Sequence, residues 1–487
     1  MAYEAVIGLE VHVQLLTATK MFCRCPNRFG AEPNTLVCPV CLGYPGTLPV
    51  ANHHAIDLAV QLASALGATV YPRSVFARKN YFYPDLPKGY QISQYDKPLA
   101  ENGRLPLSLH DKVVRIERLH LEEDAGKLLH EAPGGGPLHG QSLVDFNRCG
   151  TPLVEIVSRP EISSPAEAQD YLQTLHQLLL YTQTSDGSME EGSLRCDANV
   201  SVRKVGDPVL GTRAEVKNVN SFKNVARAIE YEIERQIEIL EGGGRVVQET
   251  RSFDADKGTT RTLRSKEEAH DYRYFPEPDL PPLVIDEARR AALVAALPEL
   301  PWVRRARFSE EYGLPTADAA LLSGARDLAD YYEATVAALA EEIRAKGAKP
   351  AANWVMGEVL RELKERKIGP EGALAPARLA ALVALIEQGK ISASAAKEVF
   401  VAIWDGDEEP AAAIERLGLG QVSDAGQIEA WVREVIAEFP AQVAQLQGGK
   451  LQVLSFLVGQ VMKRSAGRAQ PPAVQKLMRS ELGLPEG

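Results

Sequence analysis

No uninterrupted apolar run in the 487 residues approaches eighteen, so no membrane-spanning helix is expected. The first stretch, MAYEAVIGLEVHVQ, lacks a basic segment followed by an apolar one, and a signal peptide is not expected. A bacterial-type cytoplasmic setting is the expectation. Positive charge is not in excess: the net charge is −11, which argues against indiscriminate nucleic-acid binding while leaving room for a local basic patch. Walker A, G-x-G-x-x-G and kinase signatures are missing from the contexts that would give them meaning. H-E-x-x-H is missing too, which argues against a self-sufficient zinc hydrolase. Cysteine is scarce, with only six in the chain.

Four of those six stand within nineteen positions, as Cys23-x-Cys25, twelve residues, then Cys38-x-x-Cys41. Two readings compete: a zinc site, or a pair of disulfides. In a reducing cytosol thiolates on zinc are favoured over disulfides, with reduced unliganded thiols as the remaining alternative. Pro39 and Gly43 suit a knuckle-like turn. A four-cysteine site is closed and would staple a loop, so the chemistry belongs elsewhere. Cys149 and Cys196 read as buried small apolar residues.

The length suggests more than one core. Residues 1–294 mix short strand-like runs with helical stretches at 55–67, 164–182 and 221–243, the last opening on a serine cap and closing on Gly-Gly-Gly. After the proline-dense YRYFPEPDLPPLVI the composition turns Ala/Leu/Glu-rich with helical periodicity. A second break, WDGDEEP, precedes a final helical block. Three domains are expected: mixed α+β over 1–294, all-α over 295–405, and a small all-α tail over 406–487. The stretch 130–140, HEAPGGGPLHG, reads as a flexible loop, because no Lys-Ser/Thr follows its glycines.

The polar faces of the strands carry the chemistry. In IGLEVHVQL, Glu10, His12 and Gln14 alternate with apolar residues, which puts the carboxylate and the imidazole about 7 Å apart on one side of a strand. The same alternation gathers Arg195, Asp197, Asn199, Ser201 and Arg203 in SLRCDANVSVRK, and Arg213, Glu215 and Lys217 in TRAEVKNVNSF. RLHLEEDAGK offers His120, Glu122, Glu123 and Asp124. Glu155 lies inside the apolar run TPLVEIV, where a carboxylate needs a cation. Carboxylates and a histidine interleaved with arginine and lysine suit a Mg²⁺–nucleotide site, of a kind closer to carboxylate-lined ligase pockets than to a P-loop. The bland alternative is a set of solvated sheet faces.

Two basic regions stand out. In residues 73–99, Arg73, Arg78, Lys79, Lys88 and Lys97 interleave with Phe76, Tyr81, Phe82, Tyr83, Tyr90 and Tyr95. That mixture can hold a nucleic-acid end by charge and stacking, or can pack a broken loop on the core. From Lys450 onward, Lys450, Lys463, Arg464, Arg468, Lys476 and Arg479 face only Glu481 and Glu486. That end is either a solvated helix face or a phosphate-backbone contact.

Several long motifs, in order, carry a resemblance. They are EAVIGLEVHVQL, the Cys-x-Cys…CPVCLGYPG run, KNYFYPDLPKGYQISQYDKPL, HLEEDAGK, DFNRCGTPLVEIVS, GSMEEGSLRCDANVSVR and EVKNVNSF, followed by ANWVMGE, SAAKEVF and LSFLVGQVMK with GRAQPP. Over essentially the whole chain the sequence resembles the GatB family, the GatB subunits of the aspartyl/glutamyl-tRNA(Asn/Gln) amidotransferases. The resemblance implies a largely antiparallel cradle domain, an all-α domain and a YqeY-like tail. It implies ATP/Mg²⁺-dependent phosphorylation of the side-chain carboxylate of mischarged Glu-tRNA(Gln) or Asp-tRNA(Asn). Amidation would follow, by ammonia channelled from a glutaminase (amidase) partner of the same complex. The other partners implied are a small third protein that braces the two, the mischarged tRNA and the non-discriminating aminoacyl-tRNA synthetase; no membrane is implied.

By the same resemblance, Glu10, His12, Glu123, Glu155, Asp197 and Glu215 line the phosphoryl site and the mouth of the channel. His12, Glu123 and Glu155 would hold Mg²⁺, with Glu122 in reserve, since strand parity sets it with His120. Arg195, Arg203 and Lys217 would bind nucleotide. Lys79, Lys88, Lys463, Arg464 and Arg468 would meet tRNA. Cys23, Cys25, Cys38 and Cys41 would hold structural zinc. Departures from the family pattern fall at Ala393, Ser394, Ser455 and GRAQP, and bear on tRNA preference more than on chemistry. A scaffold that docks tRNA without chemistry of its own is the alternative.

Overall fold

Residues 3–14 alternate apolar and polar side chains, and they form the longest strand, β1 (Tyr3–Gln14), in the computed structural model. Leu9, Val11 and Val13 are fully buried on one face, while Glu10, His12 and Gln14 are half-buried on the other. The structure describes residues 2–129, 136, 138–265, 271–420, 425–465 and 467–484. The glycine-rich 130–140 stretch therefore falls largely outside the described residues.

The strands that follow are β2 (Thr69–Val70), β3 (Arg73–Ser74), β4 (Ala77–Asn80), β5 (Tyr90–Ser93), β6 (Ala100–Pro106), β7 (Val113–Glu123), β8 (Lys127–Leu129) and β9 (Leu143–Asp145). Next come β10 (Pro152–Ser158), β11 (Leu194–Lys204), β12 (Ala214–Val219), β13 (Glu249–Asp254), β14 (Thr259–Ser265), β15 (Phe275–Pro276) and β16 (Leu283–Val284). Nine of them join one sheet in the order β14-β13-β12-β11-β1-β10-β7-β6-β2. Its neighbours run antiparallel except β12 and β13. A small sheet, β15-β4-β5, carries the basic-aromatic segment.

Three helices cover the apolar face: α1 (His53–Ala65), α2 (Pro165–Thr182) and α3 (Phe222–Glu241). They form close to the three helical stretches that the sequence predicts. Ser164 caps α2 by accepting from the Glu167 amide at 3.1 Å, and Ser221 caps α3 by accepting from the Asn224 amide at 3.2 Å. The α2 helix stops at Gln183, which turns left-handed at φ 53°. Ile56, Leu172 and Ile229 from these helices share one core with Leu9, Val11, Leu119, Ile156 and Val200 of the sheet. Truncating Leu172 to alanine would cost about 2–5 kcal/mol. The core lies wholly beneath the sheet, so the opposite face is left for polar chemistry.

The chain divides into two compact units, Met1–Val303 and Arg304–Gly487. The second is helical and holds two apolar cores, one running from Phe308 to Ile414 and the other from Ile428 to Met478. Its helix Glu341–Trp354 tolerates Pro350 and runs on into a π turn over Val355–Val359. The fold class is α+β, a mixed and mostly antiparallel sheet followed by helices. No helix among the described residues is long and apolar enough to cross a membrane.

Candidate active site

Register across the sheet builds the site. His120 pairs with Glu155, Glu155 with His12, and His12 with Arg195, so four polar residues stand in one row across β7, β10, β1 and β11. Directly opposed residues have Cβ atoms about 4.5–5.5 Å apart, which brings their side chains into contact. Glu155 Oε2 lies 3.4 Å from His12 Nε2 and 3.3 Å from His120 Nε2. His120 Nε2 is also 3.1 Å from Glu122 Oε1. Ser93 Oγ donates to Glu122 Oε1 at 2.6 Å, and Gln91 Nε2 to Glu122 Oε2 at 3.2 Å.

Charges buried this deep must be neutralised by one another. Burial pushes the Glu155 carboxyl up, yet the His120 and His12 imidazoles prevail and hold it well below the usual range. Burial likewise opposes charge on His120, and Glu155 with Glu122 overcomes it, raising that imidazole to about 9. Glu122 is drawn down to about 2 against burial and the repulsion of Glu155, by the His120 hydrogen bond and by Lys79. His120 Nδ1 is buried without a hydrogen-bond partner among the described residues.

One ligand atom from each of His12, Glu122 and Glu155 lies within 4.8 Å of the others. Two carboxylate oxygens and an imidazole nitrogen converging in this way fit a hard divalent cation that keeps some of its water. Glu122, not Glu123, joins His12 and Glu155. Glu123 leaves β7 on the other side, where it pairs with Lys88 and accepts from the Ile92 amide at 3.1 Å. The two side chains of that pair are 7% and 2% exposed, so it is a buried ion pair and not a free lysine awaiting a phosphate.

A second cluster adjoins the first. Glu10 pairs with Asp197 across β1 and β11, and Asn199 with Glu215 across β11 and β12. Lys217 Nζ binds Asp197 Oδ2 at 2.5 Å and Glu215 Oε1 at 3.0 Å. Glu10 accepts from Asn199 Nδ2 at 2.9 Å, and its carboxyl is pushed up by burial and by Glu155, Glu215 and Asp197. Arg195 donates to Asp124 at 2.8 Å. Arg203 is not brought to the cluster: it pairs with Glu4, eight residues along β11 from Arg195. Lys79 lies close enough to Glu122 and Glu155 for both to stabilise its charge against burial.

Gln91 and Ser93 escape notice in the sequence, although their two-residue spacing on β5 is the signal that aims both at Glu122. In the tail, Lys463 is exposed, Arg464 is held by Glu434 and Glu438, and Arg468 Nε donates to the Ser465 carbonyl at 3.2 Å.

The four cysteines converge separately, each Sγ within 4.8 Å of the others, with Cys38 and Cys41 at 3.9 Å. Tetrahedral Zn–S bonds of about 2.3 Å set sulfurs roughly 3.8 Å apart, so the cluster fits zinc. Hydrogen bonding from Cys23 pulls the Cys41 thiol down to about 5, and Lys20 contributes to this; Cys25 is pushed up to about 11, first by burial. Four thiolates at this spacing need a shared cation. Cys149 and Cys196 are buried and not among the four converging sulfurs, although the Cys149 thiol donates to the Cys41 carbonyl at 3.2 Å.

A family model described as the GatB/GatE catalytic domain matches residues 5–291, and one described as a GatB domain matches 330–482. The GatB subunit of the aspartyl/glutamyl-tRNA(Asn/Gln) amidotransferase of Geobacter sulfurreducens is 54% identical over 486 residues, covering 99% of this chain and 100% of its own. The protein of the same name from Halorhodospira halophila is 53% identical over 487 residues, covering 99% of each chain. That of Chlorobium chlorochromatii is 51% identical over 485 residues, covering 99% of this chain and 100% of its own. The chain belongs to the GatB/GatE family, as the GatB component of a tRNA-dependent amidotransferase.

Proposed function

We propose that this chain activates and amidates the side-chain carboxylate of Glu-tRNA(Gln) or Asp-tRNA(Asn), and that the His12–Glu155–His120–Glu122 cluster is where it does so. One observation carries the proposal: two imidazoles and two carboxylates in mutual contact on the polar face of the sheet, with one ligand atom each of His12, Glu122 and Glu155 within 4.8 Å of the others. A solvated scaffold face has no reason to bear that desolvation cost.

A carboxylate is a poor electrophile, and oxide is a poor leaving group. The substrate carboxylate oxygen therefore attacks the γ-phosphorus of ATP, the bridge to the β-phosphate breaks, and ADP leaves. Ammonia then attacks the acyl carbon, and phosphate departs with the C–O electron pair. His12, Glu122 and Glu155 would hold Mg²⁺, which supplies charge neutralisation at the phosphoryl group. Lys79 adds a second positive charge there. Glu10, Asp197 and Glu215 line the path by which ammonia arrives, and a carboxylate among them takes the proton that the new amide sheds. Lys217 keeps Asp197 and Glu215 aligned, and it and Arg195 are further cations that would meet nucleotide phosphates. Arg203 is too far along β11 to serve.

The cysteine cluster staples residues 21–43 with structural zinc. Residues 1–294 form the catalytic cradle, 295–405 a helical spacer and 406–487 a tRNA-gripping tail led by Lys463. The chain works with a glutaminase partner that supplies ammonia, a small third protein that braces the pair, and the synthetase that makes the mischarged tRNA. ADP release by the assembled complex tests this reading. It should require ATP, magnesium and mischarged tRNA, and correctly charged Gln-tRNA should not replace the last; release indifferent to aminoacyl identity would refute it.

A further inference from the structure

Beyond the cation cluster, at the small sheet, five tyrosines form a chain of ring contacts, three of them beside one lysine. Tyr81 and Tyr272 have ring centroids 6.0 Å apart, Tyr272 and Tyr274 6.1 Å, and Tyr81 and Tyr83 6.3 Å, all edge-on. Tyr95 lies flat on Tyr274, with centroids 4.3 Å apart and planes within 7°. Lys79 Nζ is 5.1 Å from the Tyr272 ring centre and forms no hydrogen bond or ion pair among the described residues. Asn80 fixes the two segments together: its Nδ2 donates to the carbonyls of Tyr272 at 3.1 Å and Arg273 at 2.9 Å. The assembly is therefore a set platform and not a loose loop.

The platform has an open side. Tyr95 is 52% exposed and Tyr83 50%, and Phe82, next to Tyr83 in the chain, is 88% exposed. One face of Tyr95 is covered by Tyr274, so the outer face is free to receive a planar group. Phenol rings this exposed gain nothing from the core, and a stack of two rings ending in solvent is how proteins extend onto a nucleobase. Lys79 joins the platform to the cation cluster, because the same ammonium lies against Tyr272 and in the field of Glu122 and Glu155. A ligand with a base on the tyrosines and an anionic group at the cluster would therefore pass Lys79 on the way.

We propose that the Tyr95–Tyr274 stack, flanked by Tyr272 and Lys79, is a docking shelf for an adenine base, that of the terminal adenosine of the aminoacyl-tRNA. The assignment rests on the amidation reading above. The amino acid is esterified to the ribose of that adenosine, so its side-chain carboxylate reaches the cluster only if the base is parked a nucleoside's breadth away. The adenine of ATP is the other source of the same chemistry.

The test uses the assembled amidotransferase complex and two fluorescent probes. One is mischarged tRNA carrying 2-aminopurine in place of the terminal adenine; the other is 2-aminopurine riboside triphosphate. Stacking quenches this base. The expected result is at least a two-fold quench of the tRNA probe, abolished by Tyr95→Ala, kept by Tyr95→Phe and absent from the triphosphate. With natural substrates, Tyr95→Ala should raise KM for mischarged tRNA roughly 5- to 150-fold and leave KM for ATP unchanged. Quench and KM effects confined to the triphosphate would overturn the tRNA assignment and give the shelf to ATP. No Tyr95-dependent quench in either arm would overturn the shelf, and the amidation reading would survive if ADP release still required mischarged tRNA. Loss of that requirement in the unmodified complex would sink the reading itself.

Discussion

His12 and Glu155 occupy directly paired positions on β1 and β10, and their Nε2 and Oε2 atoms are 3.4 Å apart. The strand register sets this contact, so the pair is held by the central sheet and not by a loop. A slip of one residue in either strand would turn one partner into the apolar core.

Removing the Glu10 charge should stabilise the chain. Burial, Glu155, Glu215 and Asp197 all raise its pKa above 4.5. A carboxyl that holds its proton more tightly when folded loses stability as pH rises from about 4.5 through its folded value, so at neutral pH the ionised form weakens the fold. Glu10→Gln removes that charge and keeps an acceptor for Asn199 Nδ2. Calorimetry at pH 7.5 should show a Tm higher by a few degrees, with the gain fading toward pH 4, while amide formation falls tenfold or more. A lower Tm at pH 7.5 would contradict this.

The buried pair Lys88–Glu123 should be costly to break from one side. Lys88→Met strands the Glu123 carboxylate and should cost about 3–5 kcal/mol in denaturant unfolding. Gly43 packs against Lys88: its φ is +69°, and a Cβ there would collide with Lys88 Cγ. Gly43→Ala should cost about 1–3 kcal/mol. The double variant keeps the clash, because methionine retains the Cα, Cβ and Cγ that face residue 43, and it should be less stable than either single variant.

Metal analysis should find one zinc per chain, bound at the cysteine cluster. Cys38→Ser or Cys41→Ser should lose it and lower Tm, whereas His12→Ala should keep it. Zinc retained in Cys41→Ser would place the metal elsewhere.

Tail cations should differ in their hold on tRNA. Lys463 is exposed, while Arg464 is already committed to Glu434 and Glu438. Lys463→Ala should weaken tRNA binding and lower the slope of log K against log salt by about 1. Arg464→Ala should do less. Equal effects would mean that tRNA breaks the arginine's ion pairs.

Much of this is legible in the sequence because period-two alternation is a local signal. It assigns Glu10, His12, Asp197 and Glu215 to polar strand faces, and it marks Glu155 as a carboxylate in want of a cation, which the two imidazoles supply. The same parity favours Glu122 as the companion of His120, and the structure sets Glu122 there, while family likeness puts Glu123 first. Arg203 shares the face of Asp197, but strand length carries it out of reach, and alternation says nothing about distance along a strand. Gln91, Ser93, Tyr272 and Tyr274 meet the site only through long-range pairing of β4, β5 and β15, for which no local periodicity exists.

The most direct measurement is ADP release by the assembled complex, driven by mischarged tRNA, with unaltered chain and with His12→Ala. Loss of a hundredfold or more in the variant, with tRNA binding and zinc content intact, is the predicted result. Undiminished release would take the phosphoryl chemistry away from the His12–Glu155 row and leave the chain a scaffold.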